Sequence, residues 1–297
     1  MNKLPLKTRV QILGMLCEGS SMRSITRITG MSINTVSKLL EDAGGVCAAF
    51  HDKRVRGVKA RRVHVDEIWS FTYAKQKNVA IARAAPEGAG DTWTWTALEA
   101  DTKLIVSFFV GGRDGDCAKW FMDDVAARLI NRIQLTSDGH KAYFDAVEGA
   151  FGADLDYAQL VKLFGASPDS GKGRYSPFEC TGIKKIPIEG KPDPKHSGTS
   201  YVERQNLTMR MGMRRFTRLT NAFSKKVENH VHALALYFVH YNWMRIHATL
   251  RVTPAMAASL TTKLMGWEDI IAIMDADEKD SLARKRAALF ERLPYSS

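Results

Sequence analysis

RVHVDEIWSF, residues 62–71, decides how the rest of the chain is read. Val, Ile, Trp and Phe dominate it, and β-branched and aromatic side chains suit a pleated strand. Asp66 stands inside it, among Val63, Val65 and Ile68. A carboxylate in a core strand is costly unless it has a partner. Downstream, TWTWTALEA (92–100) and TKLIVSFFVG (102–111) read as two more strands with Ala100-Asp101 at the turn, an antiparallel meander. Residues 116–131 predict a helix, with Cys117, Trp120, Phe121, Val125 and Leu129 as its buried stripe. A short strand at 132–135 runs to Thr136-Ser137-Asp138-Gly139, a helix follows over 140–149, and 155–163 is a further strand. The order β-β-β-α-β-α-β, then a long helix, is that of a ribonuclease-H-like α/β fold, a mixed sheet with helices on both faces.

That last helix is SYVERQNLTMRMGMRRFTRLTNAFSKK, residues 200–226, with no proline and one glycine. Helical positions three, four and seven apart share a face, which groups Glu203, Asn206, Leu207 and Arg210. Seven bases follow Glu203 with no acid among them: Arg204, Arg210, Arg214, Arg215, Arg218, Lys225 and Lys226. A carboxylate at the head of such a stretch can hold a metal while the bases hold a polyanion. A solvated helix with an incidental Glu is the plain alternative. Residues 164–199 are rich in Gly, Pro, Ser and Lys and lack a period, so they read as a long loop of functional or mobile kind. After residue 222 another helix runs to about residue 245 on Phe223, Val227, Val231, Leu234, Phe238 and Tyr241. His230, His232, His240 and His247 lie on or after it; His230 and His232 point apart, so packing or phosphate contact is favoured over zinc. Pro254 opens a further helix, and 275–292 reads as a charged surface helix.

Ahead of the sheet, residues 4–43 predict three short helices. Leu6, Val10, Leu13 and Cys17 stripe the first, Ile25 and Ile28 mark the second, and Val36, Leu39 and Leu40 face inward on the third. Gly30-Met31-Ser32 is a tight turn with an N-cap serine, giving a helix-turn-helix pattern. In that motif the first turns of the second helix reach base edges, and here they carry Asn34, Thr35 and Lys38. A small packing bundle is the alternative. Gly44-Gly45 reads as a helix break, followed by a linker bearing Lys53, Arg54, Arg56, Lys59, Arg61 and Arg62. The expected division is a helix-turn-helix domain (1–45), a basic linker (46–61), an α/β catalytic domain (62–250) and a helical extension (251–297).

The net charge of +11 favours a polyanionic partner. No apolar run approaches a membrane span, and the N-terminus lacks the pattern of a signal peptide. The four cysteines are scattered and form no CxxC, which suits a reducing cytoplasm and argues against a zinc knuckle. Three acids are the candidate chemistry: Asp66 in the first strand, Asp138 at the end of the fourth, and Glu203 on the late helix. In a ribonuclease-H-like sheet the first and fourth strands are adjacent, so the three converge and repel one another without cations. Two hard divalent ions about 4 Å apart would serve phosphoryl transfer there. Glu67 adjoins Asp66 but belongs to the other face of its strand, and ranks second.

At these residues the chain resembles bacterial insertion-sequence transposases of the DDE class, and within them the insertion sequence 1 family. The motifs are Asp66-Glu67-Ile68-Trp69-Ser70-Phe71, Ser137-Asp138-Gly139, and Glu203-Arg204-Gln205-Asn206-Leu207-Thr208-Met209-Arg210. Phe223-Ser224-Lys225-Lys226-Val227-Glu228 and Tyr241-Asn242-Trp243-Met244-Arg245-Ile246-His247 match further blocks. The resemblance implies a retroviral-integrase-like catalytic domain, with Asp66, Asp138 and Glu203 as metal ligands for two Mg²⁺ (or Mn²⁺) ions. It implies double-stranded DNA as partner, namely inverted repeats and target; the helix-turn-helix and basic-stretch readings above put Asn34, Thr35, Lys38, Arg204, Arg210, Arg214, Arg215 and Lys225 at that DNA. It also implies a homodimer or larger homo-oligomer on paired ends, in a bacterial, nucleoid-associated setting. Two departures stand out: no cysteine motif precedes the helix-turn-helix, and Asp138 and Glu203 are 65 residues apart. The competing functions are a catalytically inert DNA-binding regulator derived from a transposase, and a host nuclease of the same fold.

Overall fold

The computed structural model describes residues 3–165, 180–217 and 221–290. Three helices come first: α1 (Leu6–Cys17), α2 (Met22–Thr29) and α3 (Ile33–Arg54). Then follow β1 (Arg62–Thr72), the one-turn α4 (Gln76–Val79), β2 (Gly90–Glu99), β3 (Ile105–Gly111), α5 (Gly115–Arg128), β4 (Ile133–Asp138) and α6 (Ala142–Phe151). The chain continues with β5 (Leu155–Phe164), β6 (Cys180–Glu189), α7 (Ser200–Gly212), α8 (Val227–Val239), α9 (Pro254–Ala257) and α10 (Trp267–Phe290).

The sheet is mixed, in the order β3-β2-β1-β4-β5-β6. β1, β2 and β3 form the expected antiparallel meander, and β4 and β5 add in parallel beside β1. Cross-strand partners share a face. Trp95, opposite Glu67, packs on Phe121 of α5 and Tyr143 of α6, which defines one face. On the other, Phe108 meets Phe238 of α8 with ring centroids 4.7 Å apart. The pairing of β1 with β4 covers only Arg62–His64 against Gln134–Thr136. From Val65 onward β2 is the only strand paired with β1, apart from a single bridge of Thr72 to Ser224, so the other side of β1 opens into a cleft.

Several boundaries differ from the sequence expectation. Gly44-Gly45 does not break α3, which continues through half of the expected linker to Arg54. The reason is packing: a Cβ on Gly44 would lie 2.4 Å from the His232 Cβ, so glycine lets α3 press directly against α8. The N-terminal helices therefore share one apolar core with the sheet, running from Ile12 and Leu40 through Val63 and Phe238 to Ile271. α10 begins well before the charged segment and buries Ile270 and Ile271, while Asp275 pairs with Arg9 of α1 at 2.8 Å.

Part of the expected 164–199 loop is the edge strand β6. Its residues are nearly all exposed on both faces, so no alternation marks it, and Pro187 sits at a register shift opposite Ala158. Residues 166–179 of that loop lie outside the described residues. α7 is also shorter than expected. It stops at Gly212, which lies against the Tyr237 ring, and the chain turns through Arg214–Phe216 to bury Met213 and Phe216. Arg214, Arg215, Lys225 and Lys226 thus lie beyond the helix, and Arg218 lies outside the described residues. The turn between α2 and α3 is as expected, with Gly30 at φ +72° and the Ser32 hydroxyl accepting from the Thr35 backbone N–H. No helix among the described residues is long and apolar enough to cross a membrane.

Neighbouring glycines in α3 should respond oppositely to alanine. Gly44→Ala forces α3 away from α8 and should cost about 1–3 kcal/mol. Gly45 has nothing within 4 Å of its missing Cβ, so Gly45→Ala should gain about 0.5–1 kcal/mol from helix propensity. Urea unfolding of the two full-length variants measures both.

Candidate active site

The open side of β1 is the floor of a cleft of about 840 Å³. Its acids are Asp66, Glu67, Asp138 and Glu203; its bases are Arg113, Lys141, Lys162 and Arg210. Each acid is placed by a local rule. Asp66 and Glu67 lie on β1 just past its last pairing with β4. Asp138 is the final residue of β4 and accepts from the His140 backbone N–H at 2.9 Å, which fixes it at the strand's carboxyl end. Glu203, Asn206, Leu207 and Arg210 line the cleft together, as one helical face should.

The arrangement is tighter than the sequence expectation at one acid and looser at another. Asp66, Glu67 and Asp138 bring carboxylate oxygens within 4.8 Å of one another. Glu67 does lie on the α5–α6 face, opposite Trp95, while Asp66 meets α7. Both nonetheless reach the cleft, because no strand separates the two faces where β4 has ended. Glu203 is turned away from this group: its Oε1 accepts from Lys162 Nζ at 2.7 Å and from the Thr199 hydroxyl. Asn206, buried under the floor, donates to Asp66 Oδ2 at 2.7 Å. Arg113, stacked 4.7 Å from the Trp93 ring, points Nη2 at Glu67 (3.3 Å) and Asp138 (3.6 Å).

The electrostatics follow from burial among like charges. Desolvation, then the charge of Asp138, pushes Asp66 up to about 7, and the same two causes push Glu67 up to about 7. Burial also raises Glu203, but the hydrogen bonds from Lys162 and Thr199 outweigh it and leave that group below its ordinary value. Hard divalent cations take carboxylate oxygens, so the donor set at Asp66, Glu67 and Asp138 fits one, with Glu203 near. The cluster's own cost of ionisation supports the fit, because a cation would remove it.

The other expected site residues are spread out. Asn34 and Lys38 are exposed at the head of α3, the latter paired with Asp42 at 2.8 Å, and the Thr35 hydroxyl meets Ser32. Arg204, Arg214 and Lys225 are exposed outside the cleft lining. Arg215 is half-buried: its guanidinium donates to the buried Ser224 hydroxyl, and burial lowers it to about 10. Arg113, Lys141, Lys162 and Thr199 line the cleft without having been singled out in the sequence. Asn206 had a signal, three residues after Glu203 on its face; the other four are isolated polar residues on separate elements and carry none.

No family model and no curated protein matches the chain. Among solved structures, a piggyBac transposase synaptic complex with hairpin DNA aligns over 99% of this chain and 76% of its own, at 9% identity and TM-score 0.35. A Mos1 transposase paired-end complex with the left transposon end aligns over 50% of this chain and 59% of its own, at 13% identity and TM-score 0.21. A pre-cleavage Mos1 transpososome aligns over 53% and 60%, at 11% identity and TM-score 0.21. Alignments this loose establish neither family nor activity, and the narrower likeness to insertion sequence 1 proteins finds no support among them.

Carboxylates whose folded values are raised bind extra protons in the native state between about pH 4 and 7. Stability is therefore lost as pH rises through that window. Asp66→Asn should stabilise the chelator-treated protein at pH 8 by about 1–3 kcal/mol, and the gain should shrink toward pH 4. Thermal unfolding of both proteins across that range measures it.

Proposed function

We propose that the chain is a metal-dependent polynucleotidyl transferase, a DDE transposase that cleaves DNA at the ends of an insertion sequence and joins the ends to target DNA. The observation that carries this reading is one cleft lined by both four carboxylates and four bases. An acidic floor alone fits many cation sites, and a basic rim alone fits any polyanion. Together they suit a phosphodiester whose reacting phosphorus must sit beside cations while its neighbours are held by Arg and Lys. The sheet order, with Asp66 and Asp138 on adjacent strands and Glu203 on the late helix, supports a ribonuclease-H-like domain.

In this reading Asp66, Asp138 and Glu203 hold Mg²⁺ or Mn²⁺, two ions in the working site. Such ions activate water or a 3′-hydroxyl and stabilise the leaving oxygen. The chain's own residues do the rest. Asn206 fixes which oxygen of Asp66 stays open to the cleft. Lys162 and Thr199 hold Glu203 until substrate arrives. Arg210, about two turns from Glu203 on the same face, engages a phosphate farther along the strand. Asn34, Thr35 and Lys38 read inverted-repeat bases from the head of α3, and exposed Arg204, Arg214 and Lys225 add phosphate contacts. Action on two ends calls for a homodimer or larger assembly.

Asp66→Asn, Asp138→Asn or Glu203→Gln should each abolish Mg²⁺-dependent cleavage of DNA carrying the sequences that flank the reading frame, with end binding retained. Wild-type cleavage by any one variant removes that residue from the chemistry. Arg210→Ala should instead weaken DNA binding and flatten its salt dependence by about one unit of log–log slope. Its cleavage should return at low salt, because mass action restores a binding loss. Replacing Asn34, Thr35 and Lys38 together should erase discrimination between end and random DNA in a competition assay while leaving salt-sensitive binding.

A further inference from the structure

Glu67 has the strongest claim to a role that the Asp66–Asp138–Glu203 assignment leaves out. Its side chain is only 1% exposed, yet it is not tucked into apolar packing with its charge satisfied. Oε2 has a long contact to Arg113 at 3.3 Å, and the other donor the carboxylate meets is the neutral Tyr143 hydroxyl behind it. A carboxylate buried beside other acids, with one long contact to a cation and one neutral donor, is expensive, and chains rarely keep one without a use.

The Glu67 side chain lines the cleft together with the other acids. The three ligand atoms of Asp66, Glu67 and Asp138 lie within 4.8 Å of one another, close enough to share one ion, and Glu203 is not in the group. Glu203 is occupied elsewhere, by the ammonium of Lys162 at 2.7 Å and by Thr199. Arg113 already spans Glu67 and Asp138 with one nitrogen. That nitrogen marks where positive charge is favoured, and its side chain is 38% exposed, so it has room to withdraw into the cleft.

We infer that in the DNA-free protein the divalent cation is held by Asp66, Glu67 and Asp138, with Arg113 displaced and Glu203 withheld by Lys162. Glu67 is then a metal ligand, supplied by the residue next to the first Asp on the opposite face of the same strand. The inference rests on the cation-dependent reading above and revises its ligand set for the resting enzyme.

Mn²⁺ binding to the full chain without DNA, followed by calorimetry at pH 8, tests it. Glu67→Gln keeps the side chain's size and removes its charge, and should weaken Mn²⁺ at least about tenfold, as Asp66→Asn and Asp138→Asn should. Glu203→Gln should weaken it by less than about threefold. If Asp66→Asn and Asp138→Asn lose Mn²⁺ while Glu67→Gln binds like wild type, the cation site stands and this inference is overturned. If none of the four weakens Mn²⁺, both fall. Should Glu67→Gln not fold, a crystal of the wild-type chain with Mn²⁺, its ion located by anomalous scattering, decides the matter. Coordination by a Glu67 oxygen supports the inference; coordination by Asp66 and Asp138 without Glu67 overturns it.

Discussion

A strand that outruns its neighbour is the constraint on which the rest of this structure depends. β4 ends at Asp138, while β1 continues to Thr72 with β2 as its only ladder partner. The gap gives two faces of one strand access to the same cleft. Asp66 from one face and Glu67 from the other meet the terminal Asp138 there, and α7 closes the far side with Asn206 and Glu203. Like charges so close resist ionisation, which is why Asp66 and Glu67 both rise to about 7. The fold carries that cost, and the cost itself is the physical case for a cation.

The helical N-terminus is tied to this sheet rather than hung from it. α3 is a single rod with two duties. Its first turns are exposed at Asn34 and Lys38, whereas its middle is pressed onto α8 through Gly44 and its last turns bury Cys47 and His51. His51 Nε2 lies 3.2 Å from the Ile105 carbonyl of β3, and Arg128 of α5 bonds both the Val55 carbonyl and Asp52. A segment that reads as a flexible basic connector is in large part structural, and α10 clamps the other end through Asp275 and Arg9. In the proposed function, the DNA-reading end of α3 and the cleft are therefore parts of one packed body.

The meander strands, buried on both faces, were legible from their β-branched and aromatic residues, and the helices from apolar stripes. On α5 the expected Cys117, Phe121 and Val125 are buried, but Trp120 is 61% exposed, packed at the sheet's edge on Phe109. β6 wrote no period, since neither face is buried. Gly44-Gly45 misled because glycine marks close approach as well as chain reversal, and one chain cannot say which partner comes near. At the site, Asp66, Asp138 and Glu203 were visible as acids at sheet and helix positions where charge is unusual. Glu67 was visible but discounted by strand alternation, a rule that assumes a neighbour on both sides. Arg113 and Lys162 depend on distant elements meeting across the cleft, and no local pattern announces that.

The central claim is that this cleft transfers DNA strands with a divalent cation. The most direct measurement is to incubate the full chain with a plasmid carrying its reading frame and flanking DNA, plus a second target plasmid, in Mg²⁺ or in chelator, and to sequence new junctions. Cation-dependent strand transfer yields junctions that join fixed 3′ ends of the flanking sequence to the target in Mg²⁺ and none in chelator. Junctions that form equally without the cation, or binding of the flanking DNA with neither cleavage nor joining in Mg²⁺ or Mn²⁺, would contradict it.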